Sequence, residues 1–164
     1  MNFTAIDFET ANSNPVSACA IGIIVVENGQ IVHEIAYLIK PYTDWFSKYN
    51  VAVHGITPEQ VMSAPRFDEI WHKIAPHIEN AEMIVAHNAG FDMNVLRRCL
   101  EYGDIACRLP KSACTVQLAK KNLPHLFNHK LNTVAAHFDI SLNHHEALSD
   151  ARASALIMLE LGDK

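Results

Sequence analysis

The chain has 164 residues, 49% hydrophobic and 19% charged, with a formal net charge of −5. That composition describes one folded domain over residues 1–164 with its own core, and it excludes a disordered chain. The negative charge argues against a general polyanion binder, so any role with nucleic acid rests on a local site. The longest apolar run, Ala18 to Val26, is too short to span a bilayer. No basic segment precedes an apolar one as in a signal peptide, and Cys19, Cys99, Cys107 and Cys114 form no C-x-x-C pair. The expectation is a cytoplasmic protein with reduced thiols and no membrane role.

Phe3 to Ile6 reads as a first strand that ends in Asp7-Phe8-Glu9-Thr10. Residues two apart on a strand share a face, so Asp7 and Glu9 present two carboxylates together while Phe8 points to the core. Two such charges at a buried strand end repel and are costly to desolvate, and a divalent cation would remove that cost. An exposed strand end with two solvated acids is the other reading. After the turn-rich Ala11 to Pro15, Ala18 to Glu27 and Gln30 to Lys40 read as strands rich in Ile and Val. Asn28-Gly29 between them signals a type I′ hairpin, which makes the first three strands an antiparallel meander. Gly22 is read as a bulge marker. Tyr42 to Asn50 looks irregular, and Thr57 with Pro58 opens a helix as N-cap and first position. His54 falls on the loop before it, where a surface residue and a functional one look alike. Phe67 to Ile78 carries Phe67, Ile70, Trp71, Ile74 and Ile78 at helical spacing.

Met83 to Ala86 reads as a short buried strand leading into His87-Asn88-Ala89-Gly90-Phe91-Asp92. Phe91, Val95, Leu96, Cys99 and Leu100 then form one helical face, stopped by Gly103. Asp92 lies in the first turn, either complementing the helix dipole or facing inward with the apolar arc. Ile105 to Cys107 and Ser112 to Cys114 are expected as short strands. Thr115 to Asn122 is expected as a helix, Pro124 to Lys130 as a loop, and Leu131 to Phe138 as another helix. The last helix, Ala147 to Leu161, has an inward stripe of Asp150, Ala153, Ser154, Ile157 and Leu161. His145 lies on its approach, with His144 beside it read as an ordinary loop histidine. Arg108, Lys111, Lys120, Lys121 and Lys130 are either phosphate contacts or a solvated face.

Asp7, Glu9, Asp92 and Asp150 thus all sit at element ends whose neighbours point inward. Two divalent cations would offset four converging carboxylates, and oxygen-only ligands suit Mg²⁺ or Mn²⁺, two per site. A metal pair about 3.5–4 Å apart is the clamp for in-line displacement at phosphorus. Histidine suits the base for the attacking water at neutral pH, and His145 is placed for it. A zinc protein built on His87, His144 and the cysteines fails on spacing.

These residues also resemble a family. D-F-E-T (Asp7 to Thr10), H-N-A-G-F-D (His87 to Asp92) and H-x-A-x-x-D (His145, Ala147, Asp150) match, in order, the three motifs of the DnaQ-like (DEDDh) 3′→5′ exonucleases. That family includes the proofreading epsilon subunit of bacterial DNA polymerase III. V-H-G-I-T (Val53 to Thr57) is a further shared segment, so the resemblance spans nearly the whole chain. It implies an α/β RNase H-like fold, a central mixed five-stranded sheet with its first three strands antiparallel, flanked by helices. It implies Asp7, Glu9, Asp92 and Asp150 as the metal-binding acids and His145 as the general base. Glu146 stands where the family's tyrosine branch has its base, so the histidine branch is indicated. The resemblance implies contacts from Glu9, Thr10 and His54 to the terminal nucleotide, with Phe91 lining the base pocket. Ala11-Asn12 replaces the Thr-Gly found in many relatives, which leaves the sugar clamp open. The implied reaction releases nucleoside 5′-monophosphates from single-stranded 3′ ends, DNA favoured. An RNA-trimming enzyme of the same family, or a silent RNase H-like binding module, are the alternatives. A DNA polymerase is a candidate partner, although the short tail after the last helix favours an independent enzyme or a domain cut from a larger one. The oligomeric state is open.

Overall fold

The computed structural model describes residues 1–162. β1 (Phe3–Thr10), β2 (Ala18–Glu27) and β3 (Gln30–Leu38) form the expected meander, and Asn28 and Gly29 both take positive φ, 52° and 75°, at its second turn. Helices α1 (Lys48–His54), α2 (Pro58–Val61) and α3 (Phe67–Glu79) then lead to β4 (Ile84–Ala86) and α4 (Ala89–Tyr102). β5 (Ser112–Cys114), α5 (Thr115–Asn122), α6 (Leu131–His137) and α7 (Ala147–Leu161) complete the chain. The five strands lie in the order β3-β2-β1-β4-β5. β1 pairs antiparallel with β2 and parallel with β4, so the sheet is mixed and β1 is central.

Strand alternation divides the core into layers. Ile6 and Phe8 point to one face, where they meet Phe67, Ile70 and Ile74 of α3 and Met93 and Leu96 of α4. Phe3 and Ala5 point to the other, against Ala151, Ala155 and Met158 of α7. A third layer packs Ala153, Ile157 and Leu161 of α7 against Ala119 of α5 and Leu131 and Val134 of α6. The last helix is therefore buried on two sides, not along the single stripe its spacing suggests.

Three local expectations are corrected. Residues Lys48–His54 form a helix, so His54 is its last residue and not a loop position. Ser47 caps it and Gly55, at φ 74°, closes it, but none of its residues is buried, so no apolar stripe marks it in the sequence. Ile105 to Cys107 is not a strand: Ile105, Cys107 and Leu109 pack on the core edge without a neighbouring strand. Gly22 is not at a bulge. It pairs regularly with Asp7 and Ala36, and the register shifts fall at Glu9/Thr10 and Val25/Val26. A Cβ at Gly22 would overlap the Ala147 carbonyl and lie 2.6 Å from Leu148 N. The missing side chain lets the start of α7 settle on the sheet beside Asp7.

Candidate active site

β1 and β4 run parallel, so both deliver their carboxyl ends to the same edge of the sheet. Asp7 and Glu9 share the face that α7 covers, as the alternation of Phe3 and Ala5 requires. β4 ends at Ala86, and Asn88, at φ 70°, turns the chain into α4 with Asp92 in its first turn. Pairing of β1 with β4 stops at Ala5, which leaves the Phe8 N–H to donate to Asp92 Oδ1 at 2.9 Å. That bond seats a nearly fully buried carboxylate against the acidic strand. Asp150, also buried, comes from the first turn of α7, which Gly22 admits. Carboxylate oxygens of Asp7, Glu9 and Asp150 lie within 4.8 Å of one another.

The electrostatics follow from that convergence. Burial, then the charges of Asp92, Glu9 and Asp150, hold the Asp7 carboxyl well above the ordinary range. Burial and the charges of Asp150 and Asp92 push Glu9 up to about 8. Burial raises Asp92 to about 7, even though the Phe8 N–H favours its ionised form. Burial also raises Asp150, against the lowering effect of its histidine neighbours. A site that penalises its own ionised acids this strongly, with oxygen donors alone at its centre, fits hard divalent cations. The exonuclease family is divalent-metal dependent, and the donor set here agrees with it.

His145 reaches the cluster through an unusual backbone. Its φ of 67° lets its own N–H donate to Asp150 Oδ2 at 3.1 Å. Burial and the neighbouring His144 lower its pKa, which keeps the imidazole neutral and able to accept a proton. His144 is not the idle loop residue that its sequence position suggests. Its Nδ1 lies 3.1 Å from Asp150 Oδ2, and its ring stacks on His145 with centroids 3.7 Å apart. Only the doubled histidine itself could have signalled this contact.

A cleft of about 500 Å³ opens over Asp7, Glu9, His145 and Asp150. Phe91 lines it and is 44% exposed, a free aromatic face at its mouth. Thr10, the last residue of β1, and His54 do not line the cleft, although the His54 charge reaches His145. The Ile56 N–H donates to His54 Nδ1 at 3.0 Å, so His54 Nε2 carries the proton that it donates to the Thr10 carbonyl at 2.9 Å. Asn50 donates to the same carbonyl at 2.9 Å, so α1 clamps the end of β1. The departure at Ala11-Asn12 is absorbed structurally: Asn12 is buried and its amide holds Thr43 Oγ1 and the Trp45 carbonyl, both at 2.8 Å. Sequence reasoning missed His87, which also lines the cleft. Burial pushes its pKa down to about 4, and it bridges Thr115 Oγ1 at 2.8 Å and the His129 carbonyl at 3.0 Å.

Comparison with known proteins agrees with this geometry. A PolC-type DNA polymerase III from Oceanobacillus iheyensis is 30% identical over 162 residues, 97% of this chain and 11% of the relative. The PolC-type DNA polymerase III of Clostridium perfringens is 33% identical over 161 residues, 95% of this chain and again 11% of the relative. The chain thus spans about a tenth of the length of these relatives. Among solved structures, exonuclease X in complex with 5′ overhanging duplex DNA superposes with a TM-score of 0.78. It is 24% identical, and the match covers 98% of this chain and 90% of that one. E. coli exonuclease I with a dA16 oligonucleotide gives a TM-score of 0.82 at 17% identity, over 96% of this chain and 40% of that one. Both show the same fold, the RNase H-like arrangement of mixed sheet and flanking helices. The exonuclease family model RNase_T matches residues 4–158, a span that takes in all four acids and His145. The chain therefore belongs to the exonuclease family of DnaQ-like 3′→5′ enzymes.

Proposed function

We propose that this chain is a metal-dependent 3′→5′ exonuclease that removes nucleoside 5′-monophosphates from single-stranded DNA ends. The observation that carries the reading is the meeting of Asp7, Glu9 and Asp150 beside His145 in one cleft, with the buried Asp92 charge acting on Asp7 and Glu9. Asp7, Glu9, Asp92 and Asp150 would hold two divalent cations, Mg²⁺ or Mn²⁺, which supply charge neutralisation and Lewis-acid polarisation of the scissile phosphate. His145 takes the proton of the attacking water on its free imidazole nitrogen. Its backbone N–H on Asp150 fixes that ring relative to the acids, so base and ligand move together. Phe91 offers a stacking face for the terminal base, and the clamped Thr10 and His54 set the position of Glu9 at the 3′ end. DNA is favoured because the curated relatives are DNA polymerases, and a DNA polymerase is the partner they point to. No helix among the described residues is long and apolar enough to cross a membrane.

The test is digestion of matched single-stranded DNA and RNA oligomers with Mg²⁺ and with Mn²⁺, products identified by mass. Nucleoside 5′-monophosphates from DNA at the higher rate are expected. Products carrying 3′-phosphates would contradict the proposed chemistry, and faster RNA digestion would reassign the substrate.

A further inference from the structure

The cleft presents two unlike walls. One carries the acids; the other carries Lys120 of α5 and Lys130, which caps α6. Val116 and Lys120 are four apart on one helix face and both line the cleft, whereas Lys111, Lys121 and Arg108 do not. Both lysines are exposed, and among the described residues neither is in an ion pair. The segment between them is held. His87 takes the His129 carbonyl at 3.0 Å, and His129 Nε2 in turn donates to the Leu123 carbonyl at 2.9 Å. Lys130 therefore projects from a loop stapled to the end of β4, one residue from the staple.

A phosphate chain entering this cleft meets the acids Asp7, Glu9 and Asp150 in a protein of net charge −5. Cations at the acids can serve the scissile phosphate, but they leave the following phosphates facing an acidic molecule. We infer that Lys120 and Lys130 form a phosphate-tracking wall that holds the phosphodiesters 5′ of the scissile bond. This rests on the exonuclease reading and adds the part of the substrate beyond the terminal nucleotide. It also gives the chain its local exception to an unfavourable global field, because charge neutralisation of a single strand depends on near contacts and is salt-dependent.

The experiment measures kcat/KM on a single-stranded DNA oligomer with Mg²⁺ from 50 to 200 mM salt. Lys120→Gln with Lys130→Gln should flatten the log–log slope by about 1.4, two contacts at about 0.7 each. Over that range wild type should lose about 7-fold more activity than the double variant. Lys120→Arg with Lys130→Arg should keep the wild-type slope, and Lys121→Gln, on the outer side of α5, should not change it. An unchanged slope in the double glutamine variant overturns the wall, as does an equal flattening by Lys121→Gln or a flat slope in the arginine pair. Absence of cleavage by wild type would instead sink the exonuclease reading, so the two failures are distinct.

Discussion

Replacing Asp7 by asparagine removes the charge that Asp92, Glu9 and Asp150 all act on, and it changes little in volume. Without metal, Glu9 at about 8 and Asp92 at about 7 keep protons at pH 7 that ordinary carboxyls in the unfolded chain have released. The sign follows from linkage. Raised folded pKa values mean the native state binds the extra protons, so stability falls as pH rises from the unfolded toward the folded pKa values. One to two such protons give a slope of about 1.4–2.7 kcal/mol per pH unit. His87, lowered to about 4, contributes with the opposite sign below its ordinary 6.5, so the variant must be compared with wild type at each pH. In EDTA at pH 8, Asp7→Asn should be more stable by about 1–3 kcal/mol, or about 2–10 °C in Tm. The gap should shrink toward pH 5, as the remaining acids protonate in the wild type. Mg²⁺ at about a hundred times its Kd should stabilise wild type by about 2.7 kcal/mol, and the variant by little. Melting curves from pH 5 to 8, with EDTA and with Mg²⁺, make the measurement. A metal-free Asp7→Asn protein melting well below wild type at pH 8 would refute the clustering of these acids.

His145→Ala should lower kcat by about 10²–10⁴-fold while Mg²⁺ stabilisation of the fold persists, since the side chain is not offered as a ligand. The wild-type rate should rise with pH along a limb set below the ordinary histidine value of 6.5, because burial lowers His145; a pH–rate profile checks it. His144→Ala removes a partner of Asp150 and a stacking surface for His145, so a loss of several-fold, smaller than that of His145→Ala, is expected in kcat. Gly22→Ala should displace the start of α7 and with it Asp150, for a loss of about 10²-fold in activity and about 1–3 kcal/mol in stability, read by rate and by urea melts.

What could be read in advance was whatever repeats along the chain. Alternation in Phe3 to Glu9 gives a strand with both acids on one face, and Asn28-Gly29 gives the turn that makes a meander. Asp92 and Asp150 were visible as acids heading inward-facing helices. What escaped depends on contacts between distant segments. The reason for Gly22 is the backbone of Ala147, far away in sequence. α1 has no buried residue, so its cap and closing glycine were its only marks. His144 and His87 gain their places through Asp150, Thr115 and His129, contacts across the fold that neither the doubled histidine nor the motif around His87 spells out. The same holds for the lysines: five basic residues look alike in sequence, and only the turn of α5 and the stapled loop select Lys120 and Lys130.

The central claim is that these four acids and His145 act together at a 3′ end, and one gel tests it most directly. A 5′-labelled linear single strand and a closed circular strand are incubated with wild type, Asp7→Asn and His145→Ala, each with Mg²⁺ and with EDTA. Wild type with Mg²⁺ should shorten the linear strand stepwise from its 3′ end and leave the circle intact. EDTA and both substitutions should leave the linear strand at or near full length. Rapid nicking of the circle, or stepwise shortening by Asp7→Asn at the wild-type rate, would contradict the account.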